Sequence, residues 1–185
     1  MFGNNGCDEY LYIIDKNDAV RKVLLPPNSK LKEIITGENI SYIHTETLMN
    51  SAYSYNITVI NEDASLINSV TVNYPTFWGH TLNGILYYPD LPEKLNSPTL
   101  NGLNIELWRT NGSSNYMAYE INRGQQQLSQ NNFVNMASQP RNFFKLQNKI
   151  YFIATNEGKE NLYSLNEDFT FNNGTSNNQW NDGDN

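Results

Sequence analysis

The chain is short of the side chains that disulfide frameworks, metal centres and nucleic-acid interfaces need. Its 185 residues contain one cysteine and two histidines, which excludes an internal disulfide and any site with several thiolate ligands. Lysine and arginine number 12 against 19 aspartates and glutamates, and this acidic balance argues against binding to a phosphate backbone. No run of about 18 apolar residues occurs, so no membrane-spanning helix is predicted. We expect no cofactor, no nucleic-acid partner and no membrane span.

The amino terminus also lacks the features of a secretory signal. Residues 1–8 contain neither a basic segment nor an apolar run of about 7–15 residues. The sequence therefore predicts either an intracellular chain, or a mature or internal piece of a longer secreted protein. Cys7 is expected to be an unreactive side chain, because Asp8 and Glu9 would raise the pKa of its thiol.

Short apolar runs separated by turn-forming residues make up most of the chain. The runs are rich in Ile, Val, Tyr, Phe and Thr, and Asn, Gly, Asp and Pro lie between them, which is typical of β-strands joined by turns. The best helix candidate, Asn131–Ser138, is short and is interpreted as part of a long Gln- and Asn-rich loop. The clearest predicted strands are Tyr10–Ile14, Ile40–His44, Tyr55–Ile60, Val70–Tyr74, Ile85–Tyr88, Glu106–Thr110, Tyr116–Ile121 and Ile150–Ala154.

A repeat of about 50 residues orders these strands. Four apolar strand residues each stand four positions before a turn-forming Asp or Asn, and a second strand follows each turn. This pattern predicts four hairpins of one type, here called outer hairpins, with anchors spaced 46, 50 and 55 residues apart. The anchors are Leu11, Ile57, Leu107 and Leu162.

Hairpins of a second type, here called inner hairpins, alternate with the first. Their second strands align at Ile40, Ile85 and Ile150, with spacings of 45 and 65 residues, and each follows a turn. Asn83-Gly84 is the strongest hairpin signal among these turns. Two hairpins in each unit give four strands per ~50 residues, which is the period of a β-propeller blade. The alternative is a β-sandwich with coincidental spacing.

One part of the chain resembles a known repeat family. The matching segments are ELWRTNGS at Glu106–Ser113, EINRG at Glu120–Gly124, QPRNFF at Gln139–Phe144 and NKIYF at Asn148–Phe152. They are similar to the ELWxxDGT repeats of bacterial secreted and surface proteins, with Asn111 and Ser113 in place of the Asp and Thr of the signature. The match is best over residues 102–174, and low-density-lipoprotein-receptor-like propeller repeats match nearly as well. The resemblance implies an extracellular β-propeller from a group of families that often lack a known activity.

The hairpin inventory predicts an all-β fold of antiparallel four-stranded propeller blades in a partial or open array. Residues 1–174 hold four outer hairpins and three inner ones, or about 3.5 to 4 blades, and residues 175–185 form an Asn-, Gly- and Asp-rich flexible tail. An open array leaves strand edges that pair with something else. The alternatives are a four-bladed ring with a degenerate last blade, and closure by another chain.

No catalytic or metal-binding constellation is visible. His44 and His80 fall in different units and are interpreted as ordinary core or surface side chains. A calcium loop at Asp15–Asp18 lacks the Gly and the distal Glu of an EF-hand, and Asn181–Asp184 lies in the predicted tail. Most carboxylates lie in turns, where capping of the turn explains them. These carboxylates are Asp15, Asp18, Glu62, Asp63, Glu167 and Asp168.

Tryptophan is the remaining candidate for a contact with a ligand, since its ring stacks on sugars. Trp108 stands at a repeat position, so packing between blades is expected. Trp78 and Trp180 are the better candidates for exposure. Because the loops that would form a binding site cannot be identified, no binding residue is assigned, and no catalytic residue or metal ligand is named.

These observations favour a non-enzymatic extracellular or surface repeat module that binds protein or glycan or takes part in assembly. Two alternatives remain open. One is a fragment of a propeller carbohydrate-active enzyme whose catalytic carboxylates lie partly in other blades. The other is a structural subunit completed by a partner chain, with self-association through open strand edges.

Overall fold

The computed structural model describes residues 10–14, 18–37, 40–49, 52–61, 65–73, 78–91, 104–130, 132–166 and 171–173. Within these ranges every regular element is a β-strand and no helix occurs. The strands are β1 (Tyr10–Ile14), β2 (Val20–Leu24), β3 (Ser29–Thr36), β4 (Ile40–Met49), β5 (Ala52–Asn61), β6 (Leu66–Val72), β7 (His80–Leu82), β8 (Ile85–Asp90), β9 (Glu106–Thr110), β10 (Asn115–Tyr119), β11 (Gln125–Ser129), β12 (Asn132–Asn135), β13 (Arg141–Leu146), β14 (Lys149–Asn156), β15 (Lys159–Asn166) and β16 (Phe171–Asn173).

The strands form three four-stranded antiparallel sheets and two separate hairpins. Sheet I is β3-β4-β5-β6, sheet II is β7-β8-β9-β10 and sheet III is β13-β14-β15-β16, each with neighbours in chain order. The predicted inner hairpins are the first two strands of each sheet, and three of the predicted outer hairpins are the last two. The fourth outer hairpin, β1-β2, stands apart as a two-stranded sheet. The predicted all-β antiparallel class is therefore confirmed.

The Gln- and Asn-rich insertion is a second separate hairpin. β11 pairs with β12, with a register shift after Gln127. The interpretation of residues 131–138 as loop is therefore wrong for Asn132–Asn135, which is strand. The insertion carries little apolar alternation, so its backbone pairing left no pattern in the sequence.

Two tight turns show why the chain reverses where it does. Asn83 and Gly84 join β7 to β8 with φ values of 51° and 74°, and Glu157 and Gly158 join β14 to β15 with 50° and 74°. Left-handed backbone at both central residues is the mark of the type I′ turn, whose twist matches that of the flanking strands. Glycine reaches this conformation without strain, whereas glutamate does not.

The sheets stack face to face in chain order, with one apolar layer at each contact. The β1-β2 hairpin packs on sheet I, sheet I on sheet II, and sheet II on sheet III. On β8, Leu86 and Tyr88 contact sheet I while Tyr87 belongs to the layer against sheet III. This alternation explains why β8 is buried over nearly its whole length, since both faces of sheet II are covered.

The contact between sheets I and II is close enough to constrain single atoms. The Tyr42 hydroxyl on sheet I donates to the Gly84 carbonyl oxygen in the first turn of sheet II at 2.5 Å. Gly112, in the β9-β10 turn with φ 90°, leaves so little space that a Cβ there would lie 1.9 Å from Cγ2 of Val59. Only glycine fits this close approach of backbone to a neighbouring sheet.

The first strands of successive sheets lie near one another. β7 of sheet II contacts β3 of sheet I on one side, and β13 and β14 of sheet III on the other. The described residues do not close into a ring.

Candidate functional surface

Equivalent positions in the sheets can be identified by counting from the residue pair that closes each inner turn. In sheet II, Leu82 pairs with Ile85 across the turn, and in sheet III Leu146 pairs with Lys149 across the corresponding turn. Ile85 therefore corresponds to Lys149 rather than to Ile150. The predicted register of the third inner hairpin is wrong by one residue, and such a shift exchanges the two faces of a strand.

In the corrected register one tyrosine occupies the same place in all three sheets. Tyr42, Tyr87 and Tyr151 each lie on the second strand, two residues after the position that closes the inner turn. Each lies on what we call the forward face, the face directed toward the next sheet along the chain. Tyr42 and Tyr87 are fully buried there, whereas Tyr151 is partly exposed.

The anchors of the outer hairpins follow the same register, as the repeat predicts. The turn residues Asn61 and Asn166 pair with the positions that close the inner turns of sheets I and III. Ile57 and Leu107 are 0% exposed because the next sheet covers them, while Leu162 at the equivalent position of sheet III is 46% exposed. The forward face of sheet III thus keeps the tyrosine and the apolar anchor of the buried faces before it, but carries Lys149 where they carry Ile40 and Ile85.

This forward face of sheet III, here called the terminal face, is an exposed apolar surface. Phe144 and Tyr151 stack with ring centroids 5.2 Å apart, and Ile153 pairs with Leu162 beside them. Among the described residues, none of another sheet packs on it. The apolar residues of the terminal face are Phe144, Leu146, Tyr151, Ile153 and Leu162, and Lys149 and Ser164 lie among them on the same face.

A second exposed apolar surface lies at the other end of the stack. Leu11 and Ile13 of β1 pack on sheet I, so the alternate residues of β1 point away from it. Tyr12 is 61% exposed, and Lys22 lies over the ring of Tyr10 with Nζ 3.4 Å from its centroid. The exposed apolar residues of this surface, here called the hairpin face, are Tyr10, Tyr12, Ile14, Val20 and Leu24.

The carboxylate of Glu106, in the segment that resembles the ELWxxDGT repeat, binds the protein's own backbone. Its Oε2 accepts hydrogen bonds from the Ile121 amide and the Ser138 hydroxyl, both at 2.7 Å, and Oε1 accepts from the Ser138 amide at 3.2 Å. Burial raises the pKa of Glu106 to about 7. Because the side chain is fully buried, it fixes two loops to the start of β9 rather than facing a substrate.

The two histidines lie apart, as their positions in different units suggest. His44 is 1% exposed on β4 and pairs across the ladder with Glu33. Burial lowers the pKa of His44 to about 4 and raises that of Glu33 to about 7, so between these values both are neutral. His80 is partly buried at the start of β7, where Nδ1 accepts from the Thr81 amide at 2.9 Å. The described residues contain no group of three His, Cys, Asp or Glu placed to hold a metal ion.

Of the other candidate side chains named from the sequence, one is packed between sheets and two are exposed. Trp108 packs against the layer between sheets I and II, as predicted, and Trp78 is 54% exposed. Asp18 is exposed near the start of β2. The remaining candidates lie outside the described residues, namely Cys7, Asp15, Glu62, Asp63, Glu167, Asp168, Trp180 and Asn181–Asp184.

No protein-family model, curated protein or solved structure matches this chain. The resemblance to ELWxxDGT repeats therefore stays a prediction. In the described ranges there is no helix of the length and apolar character that crossing a bilayer requires.

The sequence contained one usable signal for the terminal face. The anchors Leu107 and Leu162 stand in the same place before a turn Asn, so both belong to one kind of face. Nothing local distinguishes the covered anchor from the exposed one, because coverage depends on a sheet that lies far away along the chain.

Proposed function

We propose that this chain is a propeller-type array of blades that acts as a non-enzymatic binding module for protein or glycan, at the cell surface or outside the cell. The observation that carries the proposal is the terminal face. Three sheets and a hairpin stack with apolar layers between them, and the last sheet presents the tyrosine and anchor positions of those layers, Tyr151 and Leu162, without a covering sheet among the described residues. Exposed contiguous apolar surface of this kind marks interaction sites.

The blade assignment rests on topology and on contacts between first strands. Each sheet is a four-stranded antiparallel meander, and β7 lies against the first strands of both neighbouring sheets. In a propeller the first strands of successive blades line the central channel, so neighbouring first strands approach one another. A β-sandwich would instead join two sheets, whereas here three sheets follow one another in chain order.

The two described carboxyl groups with raised pKa values, Glu33 and Glu106, are not arranged as a catalytic pair. A glycosidase needs two carboxyl groups about 5–10 Å apart that both reach the sugar. Glu106 is fully buried and holds backbone amides, and Glu33 faces the layer beneath sheet II. Both shifts follow from burial inside the stack.

A binding assay with matched variants tests the proposal. Labelled chain is applied to a glycan array and to a panel of purified extracellular-matrix and surface proteins, and the same polysaccharides are assayed for hydrolysis. We expect binding without turnover, and at least tenfold weaker binding for Leu162→Asp. Leu48→Asp is the control, because Leu48 is 50% exposed on β4 away from the terminal face. Hydrolysis that one Asp or Glu variant abolishes would contradict the proposal.

A further inference from the structure

The terminal face is directed forward along the stack, and the hairpin face is directed backward. Inside the chain, each apolar layer joins the forward face of one unit to the backward face of the next, the face directed toward the preceding sheet. The terminal face is a forward face at the end of the stack, and the hairpin face is a backward face at its beginning. The described chain therefore leaves one exposed face of each kind.

The hairpin face carries the side chain that such a contact uses. Relative to the outer-hairpin anchors, Tyr12 corresponds to Trp108 in sheet II and to Tyr163 in sheet III. Trp108 packs against the layer next to sheet I, and Tyr163 is 1% exposed in the layer next to sheet II. An aromatic residue at this position thus fills the backward face of two of the three sheets, whereas sheet I has Thr58 there, and in β1 the same position is left 61% exposed.

We propose that the terminal face of one copy of this chain receives the hairpin face of a second copy, head to tail. The inference rests on the proposed function and names its partner. The contact would continue the series of forward-to-backward layers already present within the chain. Both faces are exposed in the structure, so they do not cover each other within one copy.

The contact between sheets I and II indicates which groups the new contact would use. Tyr42 on the forward face of sheet I donates its hydroxyl to a carbonyl of the next sheet, and Tyr151 presents the same group at the terminal face. Tyr12 of the second copy would pack beside Leu162, as Trp108 packs on sheet I. Because the two surfaces differ, the contact is heterologous, and copies add one after another into a ring or an open filament.

Two single variants and their mixture test this arrangement in the full chain. Tyr12→Asp disables only the hairpin face, and Leu162→Asp disables only the terminal face. Sedimentation velocity over a hundredfold concentration range should show wild-type chain growing beyond the 21.2 kDa monomer. Each variant alone should stay monomeric. An equimolar mixture should form dimers and nothing larger, because only one productive pair of faces remains.

Leu48→Asp is the matched control and should assemble like wild type. Circular dichroism of each variant shows that the sheets have formed. A monomeric wild type, or an equimolar mixture that does not dimerise although both variants are folded, would overturn the inference. Fluorescence of 8-anilinonaphthalene sulfonate separates this failure from that of the proposed function. If the wild-type chain is monomeric and binds the dye, and Leu162→Asp does not, the terminal face is exposed and the proposed function stands with another partner. If the monomeric wild-type chain does not bind the dye, both the self-assembly and the proposed function are wrong.

Discussion

At the scale of single residues, the buried carboxyl group of Glu106 makes the stability of the fold depend on pH. Burial raises its pKa from 4.5 to about 7, so the folded state holds the proton more tightly than the unfolded chain. Stability from this group is fully present below about pH 4.5 and is lost as the pH rises to about 7. His44 acts in the opposite direction, since its lowered pKa removes stability as the pH falls from 6.5 to about 4.

We expect Glu106→Gln to lower stability at pH 5 and to flatten the loss of stability between pH 5 and pH 8. The NH₂ group that replaces one oxygen cannot accept, so either the Ile121 amide or the Ser138 amide loses this acceptor, at a cost of at most about 1–3 kcal/mol because the Ser138 amide also donates to the Ile105 carbonyl oxygen. Without an ionisable group, the additional loss toward pH 8 disappears. Urea unfolding at both pH values measures this, and an unchanged pH slope in the variant would show that Glu106 does not titrate as described.

Glu157, like Gln139 and Gln147, holds a left-handed backbone conformation that its side chain disfavours. It holds φ 50° in the type I′ turn between β14 and β15. Asparagine tolerates this region far better. We expect Glu157→Asn to stabilise the chain by about 0.5–1 kcal/mol, measured as a higher midpoint in thermal or urea unfolding. Glu157→Gln, which removes the charge but leaves a side chain equally disfavoured in the left-handed region, is the control and should give no such gain.

At the scale of elements, positions that are equivalent in two sheets differ in whether a neighbouring sheet contacts them. Tyr42 and Tyr151 occupy the same place in sheets I and III, but only the hydroxyl of Tyr42 is held by a neighbouring sheet. We expect Tyr42→Phe to cost about 1 kcal/mol, the net value of a hydrogen bond, and Tyr151→Phe to change stability by under about 0.5 kcal/mol. Chemical unfolding of both variants gives the comparison, and equal losses would mean that both hydroxyls are bonded within the chain.

Part of the element pattern could be predicted from sequence and part could not. The anchors Leu107 and Leu162 can be located from the sequence because a turn Asn four residues later marks each hairpin. The register of the inner hairpin at Ile150 is predicted one residue off because Ile150–Ile153 is apolar throughout. Without alternation, nothing local shows which residues share a face.

At the scale of the whole molecule, the stack predicts a gradient of local stability. Sheet II is covered on both faces, while the β1-β2 hairpin and sheet III each have one exposed apolar face. In such arrays each unit is stabilised by its neighbours. Native-state hydrogen exchange of dilute monomer should therefore find the slowest amides in β8 and β9 and the fastest in β1 and β2. Faster exchange in β8 than in β1 would contradict the order of the layers.

The sequence by itself determined the all-β class and the hairpins of sheets I to III, but neither the β11-β12 hairpin nor the register at Ile150, because apolar alternation and turn chemistry act over a few residues. Tertiary structure alone decided that Leu107 is covered and Leu162 exposed, that Glu106 anchors two loops, and that Tyr12 faces outward. These properties depend on which sheet lies against a side chain, and that sheet comes from a distant part of the chain. Two positions with the same local sequence can therefore have opposite surroundings, one in the core and one on an exposed surface.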